Sequence, residues 1–209
     1  MRECHSSFIG MSVLSTLSDY SSRSRLRYNE SPHNFWRPSA MTKRCKPPLL
    51  WLTQLIIGIL PPTRFFRLKT RLLSLSGVDI DPAAQLFSSV RITTTGQLTI
   101  GAYTFIGHQV LIGGGDAAIS IGSNCDIGPR VSIITGDHEF APTGPRAAGP
   151  GFSRPIVIED GVWIGAGSMI LRGVRIGQRS VICAGSVVAR NIPAESYAIG
   201  AGTSLLVYN

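Results

Sequence analysis

Several ordinary devices are missing from this chain, and each absence excludes something. The four cysteines, Cys4, Cys45, Cys125 and Cys183, form no CxxC and no paired spacing. Neither a zinc knuckle nor a disulfide framework is expected, and the chain reads as one from a reducing compartment. The longest apolar run, LLWLTQLIIGIL from Leu49 to Leu60, falls well short of the roughly 20 residues a membrane-crossing helix needs. The opening residues lack the compact apolar core and small-residue cleavage site of a secretory signal. Acids are scarce at first: residues 1–76 hold 12 Lys or Arg against Glu3, Asp19 and Glu30, a net of +9. Residues 77–209 hold 8 Arg against 9 acids, a net of −1. The basicity therefore belongs to the leader, and the remainder lacks the interleaved basic and aromatic surface of a nucleic-acid-binding core, so no nucleic-acid partner is expected. A basic leader suits an acidic membrane face or no partner at all.

Three segments are expected. Residues 1–48 are rich in Ser, Arg and Pro without an apolar period, which predicts a disordered basic leader; Met41 is an alternative start. Residues 49–76 read as an apolar and amphipathic helical segment. Pro61 and Pro62 suit the start of its second helix, where Phe66, Leu68, Leu72, Leu73 and Leu75 alternate with Arg64, Arg67, Lys69 and Arg71 before Gly77. Two roles stay open for it: a cap over an exposed end of the domain that follows, or a peripheral contact lying on a membrane surface.

Residues 77–209 carry the dominant pattern. Ile158, Ile164, Ile170, Ile176, Ile182 and Val188 fall six apart, a period that neither a helix nor an ordinary strand produces. Four places after the first five of them stand Val162, Ser168, Val174, Ser180 and Ser186, all small or β-branched. Gly165 and Gly177 directly follow two of the aliphatics and suggest a glycine-tolerant turn. A short strand and a corner every six residues make one side of a triangular coil, so three hexads make a rung and Ile158 should stack on Ile176, Ile164 on Ile182 and Ile170 on Val188. Earlier rungs start at Ile80, Ile100 and Ile121. Between Ile112 and Ile121 the spacing is nine, so Gly114, Gly115 and Asp116 bulge from a corner. Between Ile133 and Ile158 it is 25, and this Gly- and Pro-rich stretch predicts a loop, 137–155, extruded from the wall. The closing stretch from Tyr197 is expected as a last partial turn or a strand on the final rung.

His138 opens that loop between Asp137 and Glu139, and its position makes it a candidate functional residue. An imidazole with an ordinary pKa of about 6.5 can take a proton from a hydroxyl at neutral pH. A backbone carbonyl, Asp137 or Glu139 could orient it. Trp163 falls at an outward position, where an indole is costly unless covered.

From Ile80 to Ala201 the chain resembles the hexapeptide-repeat acyltransferases, within them the maltose, galactoside and nodulation-factor O-acetyltransferase group and its polysaccharide-modifying relatives. The run RPIVIEDGVWIGAGSMILRGVRIGQRSVICAGSVVARNIPAES carries the likeness most specifically. The resemblance implies an all-β solenoid, a left-handed parallel β-helix against the usual crossover hand, in a homotrimer with sites between subunits. It further implies an acetyl-CoA-dependent O-acetyltransferase acting on a hydroxyl of a sugar or polysaccharide precursor, with His138 as general base. Asp116, His108 and Trp163 are then substrate-binding candidates, His108 standing where the group often has Asn. Gly165, Ala166, Ala184 and Arg190 are candidates for the coenzyme, Arg190 at a place that meets its phosphates. Amides of Gly165 and Gly167 are candidate oxyanion donors. The ending GAGTSLLVYN departs from the group's usual Gly-Asn-Pro-Ala-like segment. No metal is expected: the zinc-dependent carbonic anhydrases of this solenoid use three histidines, and besides His108 and His138 only His5 and His33 remain, in the leader. Two alternatives are transfer to the amine of an amino sugar and a catalytically silent scaffold. A cytoplasmic place is expected, with the inner face of the membrane as its extension.

Overall fold

The structure, a computed structural model, describes residues 44–141, 143–201 and 204–207; the expectation for residues 1–43 lies outside them. Two helices come first, Pro47–Ile59 (α1) and Phe66–Leu75 (α2). Pro47 and Pro48 open α1, where a missing amide proton costs nothing. Pro61 and Pro62 correct the sequence reading: they lie between the helices, and α2 begins only after Phe65, which takes a left-handed conformation with φ 56°.

Short parallel strands then wind in coils. The first coil holds Asp79–Ile80 (β1), Gln85–Leu86 (β2) and Arg91–Ile92 (β3); the second holds Leu98–Ile100 (β4), Phe105–Ile106 (β5) and Leu111–Gly113 (β6). The third holds Ile119–Ile121 (β7), Asp126–Ile127 (β8) and Ser132–Ile134 (β9). A two-stranded hairpin follows, Gly136–Phe140 (β10) and Ala148–Ser153 (β11). The fourth coil is Ile156–Ile158 (β12), Trp163–Ile164 (β13) and Met169–Ile170 (β14), and the fifth is Arg175–Ile176 (β15), Val181–Ile182 (β16) and Val187–Val188 (β17). Ser196–Ile199 (β18) adds to the second face beside β16, and Ser204–Val207 (β19) folds back antiparallel to it.

The strands form three faces, β1-β4-β7-β12-β15, then β2-β5-β8-β13-β16-β18, then β3-β6-β9-β14-β17. Like stacks on like: Ile158 pairs with Ile176, Ile164 with Ile182 and Ile170 with Val188. All six are at most 1% exposed, and each such burial is worth roughly 1.5–3 kcal/mol. The small residues four places on, from Val162 to Ser186, are buried beside them.

The corner glycines do something other than turn. Where a corner has a left-handed residue it lies three after the aliphatic, as at Gly161 and Gly167, and also at Gln109, Asn124, Arg130 and Arg179, these four with φ of 55–58°. Glycines directly after the aliphatic are small because the next coil passes against them: a Cβ on Gly165 would meet the Ala184 amide nitrogen at 2.5 Å, and one on Gly128 would meet Ala166 N at 2.8 Å.

The helices cover the open edge of the first coil. Gln54 on α1 imitates a neighbouring strand, its Nε2 donating to Ile92 O at 2.9 Å while its Oε1 accepts from Ile92 N at 2.8 Å. Lys69 on α2 is buried and donates to the carbonyls of Pro61, Pro62 and Leu86.

Candidate functional site

Every excess over six residues falls at the same edge of the prism, the turn from the third face to the first. It is Ile92 to Ile100, Ile112 to Ile121 and Ile133 to Ile158. The inserted segments therefore stack. Thr95 N donates to Gly115 O across the first two, and Gly136, at the base of the hairpin, has room for no Cβ because Gly114 O lies against it.

The predicted loop is an ordered ribbon rather than an irregular one. Gly136, Asp137 and His138 pair antiparallel with Ser153, Phe152 and Gly151, and Arg154 N donates to Thr135 O at 3.0 Å to close the neck. His138 is exposed on β10. Its Nδ1 lies 2.9 Å from Gly149 O on the return side. A carbonyl can only accept, so the neutral ring carries its proton on Nδ1 and presents the Nε2 lone pair outward. The backbone carbonyl is thus the orienting group. Asp137 is engaged elsewhere: its Oδ1 accepts from His138 N at 2.8 Å and its Oδ2 pairs with Arg172 at 2.5 Å. Arg172 stands on the same edge one coil later, and both it and Arg154 lie over the Phe152 ring, 5.2 and 5.7 Å from its centre.

Asp116, exposed in the bulged corner, accepts from Ser153 Oγ at 2.5 Å, and this hydrogen bond first of all holds its carboxyl below the ordinary aspartate value. Ser153 in turn accepts from Ala117 N at 3.2 Å. Asp116 and His138 are thereby brought to one edge, with Arg190 at the same turn of the fifth coil.

The other candidates lie elsewhere. Gly165, Ala166 and Ala184 occupy the turns from the second face to the third, and His108 the equivalent turn two coils earlier. Ala166 and Ala184 are exposed, whereas Gly165 is buried. His108 lies with Nδ1 2.7 Å from Ser89 Oγ. Trp163 stands on the second face, 54% exposed, between Asp126 and Val181. The expectation that the amides of Gly165 and Gly167 serve an oxyanion is corrected, because stacking uses both: Gly165 N donates to Ile182 O at 2.7 Å and Gly167 N to Pro129 O at 2.9 Å. Sequence reading passed over Ser153, Phe152 and Arg172; the shared edge, computable from the three long spacings, was the signal for Ser153 and Arg172. Among the described residues no group of His, Cys, Asp and Glu could hold a metal.

A triangular parallel coil of hexads with one ribbon presenting an oriented imidazole defines a hexapeptide-repeat solenoid enzyme class. Residues 155–190 match the family described as bacterial transferase hexapeptide (six repeats). The galactoside O-acetyltransferase of Lactococcus lactis is 42% identical over 85 residues, 41% of this chain and 41% of that protein. The Escherichia coli protein named as a colanic acid biosynthesis acetyltransferase, WcaF, is 31% identical over 151 residues, 72% of this chain and 80% of WcaF. The crystal structure of a hexapeptide-repeat acetyltransferase of Vibrio cholerae, complexed with acetyl-CoA, superposes with a TM-score of 0.55 at 27% identity, covering 77% of this chain and 85% of that one. This chain belongs to the hexapeptide-repeat acyltransferase family, and its coil is the left-handed parallel β-helix of those enzymes. It spans only 40–50% of the length of several curated relatives that it matches.

Proposed function

We propose that the protein is an acetyl-CoA-dependent O-acetyltransferase of a sugar or polysaccharide-precursor hydroxyl. The observation that carries the reading is the His138 ring, exposed on an ordered ribbon with Nδ1 tied to Gly149 O. Nε2 takes the proton of the acceptor hydroxyl as its oxygen attacks the thioester carbonyl. The tetrahedral adduct then expels the coenzyme thiolate, which recovers the proton from the imidazolium. A positioned base of this kind contributes typically about 10²- to 10⁴-fold. The acetyltransferases among the relatives, and the acetyl-CoA held by the Vibrio cholerae protein, support the donor.

We infer further that the enzyme is a homotrimer with the site shared between neighbours. Asp116, His138 and Arg190 lie on one edge of the prism, and Ala166 and Ala184 lie on the next. One chain alone therefore presents the acceptor side and the small-residue coenzyme side in different directions, and packing three prisms about an axis brings one edge against a neighbour's other edge. Asp116 and Trp163 then face the acceptor, His108 contributing from the second edge. Ala166 and Ala184 leave room for the pantetheine arm, Gly165 permits their close stacking, and Arg190 meets the phosphates. Calorimetry with acetyl-CoA, followed by the mass of products from a panel of sugar acceptors, tests the reading. Saturable binding and gain of one acetyl group, lost on hydroxylamine treatment, are expected. A hydroxylamine-resistant product would assign an amine acceptor, and absence of binding would leave a silent scaffold.

A further inference from the structure

The outer surface of the two helices is unlike the rest of the molecule. On α1, Leu50, Thr53 and Ile57 face inward and are buried, while Trp51, Leu55 and Ile59 on the opposite side are 68%, 54% and 82% exposed. Leu52 and Ile56 are exposed between them. A helix apolar all round is stable where both sides are apolar, and the solenoid supplies one side. Phe65, Leu68 and Leu75 are exposed as well, and nine of the fourteen exposed large hydrophobics among the described residues fall within Leu49–Leu75. Around them stand Lys46, Arg64, Arg67 and Arg71, all exposed, and the sequence has no Asp or Glu between Glu30 and Asp79. The ion pairs among the described residues, Arg172–Asp137, Arg175–Glu159 and Arg179–Glu195, involve none of these cations.

We propose that this face docks the protein on an anionic lipid bilayer, with α1 lying in the interface plane and the arginines at the headgroups. At 13 residues α1 is about 20 Å long by the 1.5 Å rise, too short to cross, and among the described residues no helix is long and apolar enough to span a membrane. Charge selects the occupant. Residues 1–38 hold five arginines against three acids, so the leader has the same sign as the rim. A second copy would set four exposed cations against four more. An anionic surface complements both the apolar strip and its border. The inference is independent of acyl transfer, since none of these residues belongs to the site.

The full chain is floated through a density gradient with vesicles of phosphatidylcholine containing phosphatidylglycerol, and with phosphatidylcholine alone. The expected result is flotation with the anionic vesicles, weakened by raised salt. Arg67→Glu with Arg71→Glu reduces it by more than about tenfold, at about fivefold or more per arginine, and Trp51→Glu with Ile59→Glu abolishes it. Thermal denaturation shows that each variant is folded, and Trp51→Ser with Ile59→Ser replaces the glutamate pair if that pair is not. Failure of the folded wild-type chain to float overturns the proposal, as does flotation indifferent to both pairs. A fall in sedimentation mass on Trp51→Glu with Ile59→Glu, without vesicle binding by the wild type, makes the face a subunit contact and equally overturns it.

Discussion

Arg172 reaches back from the fourth coil to the carboxylate of Asp137, the residue before His138. The pair ties the base of the ribbon to the wall of the solenoid, and the Phe152 ring lies beneath the guanidinium. Both side chains are a third or more exposed, 34% and 40%, so the pair contributes less than about 1 kcal/mol to stability. Its effect falls on where the imidazole stands. Arg172→Met is expected to leave the melting temperature nearly unchanged and to lower kcat by about 10- to 100-fold, the order that a small misplacement costs. Coenzyme affinity should hold, and Arg172→Lys should recover part of the rate. Steady-state kinetics beside a melt measure this; a lower melting temperature with unchanged kcat would assign the pair to stability alone.

Ser153 and Asp116 give a test in pH. The hydroxyl holds the carboxyl below the ordinary aspartate value, so the folded state binds that proton less readily than the unfolded one. Any stability it contributes is therefore present above the unfolded value of about 3.9 and is lost as pH falls through the folded one. Ser153→Ala is expected to raise the Asp116 titration toward the ordinary value, read from the carboxyl carbon shift by NMR. An unmoved titration would show that the serine is not the cause.

Buried Lys69 yields a third expectation. Burial pushes its ammonium below the ordinary lysine value, so in the window between the folded value and about 10.4 the unfolded chain binds more protons and stability rises with pH. Lys69→Met removes that slope. It also takes the ammonium donor from the carbonyls of Pro61, Pro62 and Leu86, of which Pro61 O keeps the Ser88 hydroxyl, at a cost of roughly 1–3 kcal/mol. Melts of wild type and variant across alkaline pH check both parts.

The coil is legible because a period of six is visible in residue identities alone: Ile158 through Val188 mark the strands, their faces and the Ile158–Ile176 stacking. The corners were read less well. Gly165 reads as a turning residue, yet the turn is made two places later by Gly167, and Gly165 is small because Ala184 passes against it. Such a requirement depends on a residue 19 positions away and leaves no local mark. The start of α2 was misplaced because Pro61 and Pro62 suit the end of one helix as well as the start of another. Within the site, His138 announced itself by its place in the long spacing, whereas its orienting partner is a main-chain oxygen, which no sequence displays.

The proton acceptor of the proposed reaction is the Nε2 of His138. The direct measurement is release of the coenzyme thiol from acetyl-CoA, with and without a good acceptor, by native protein and by His138→Ala. Acceptor-dependent release by the native protein is expected, reduced by about 10²- to 10⁴-fold in the variant, while acetyl-CoA binding by calorimetry stays the same. Equal acceptor-dependent release by the two proteins would contradict that role of His138.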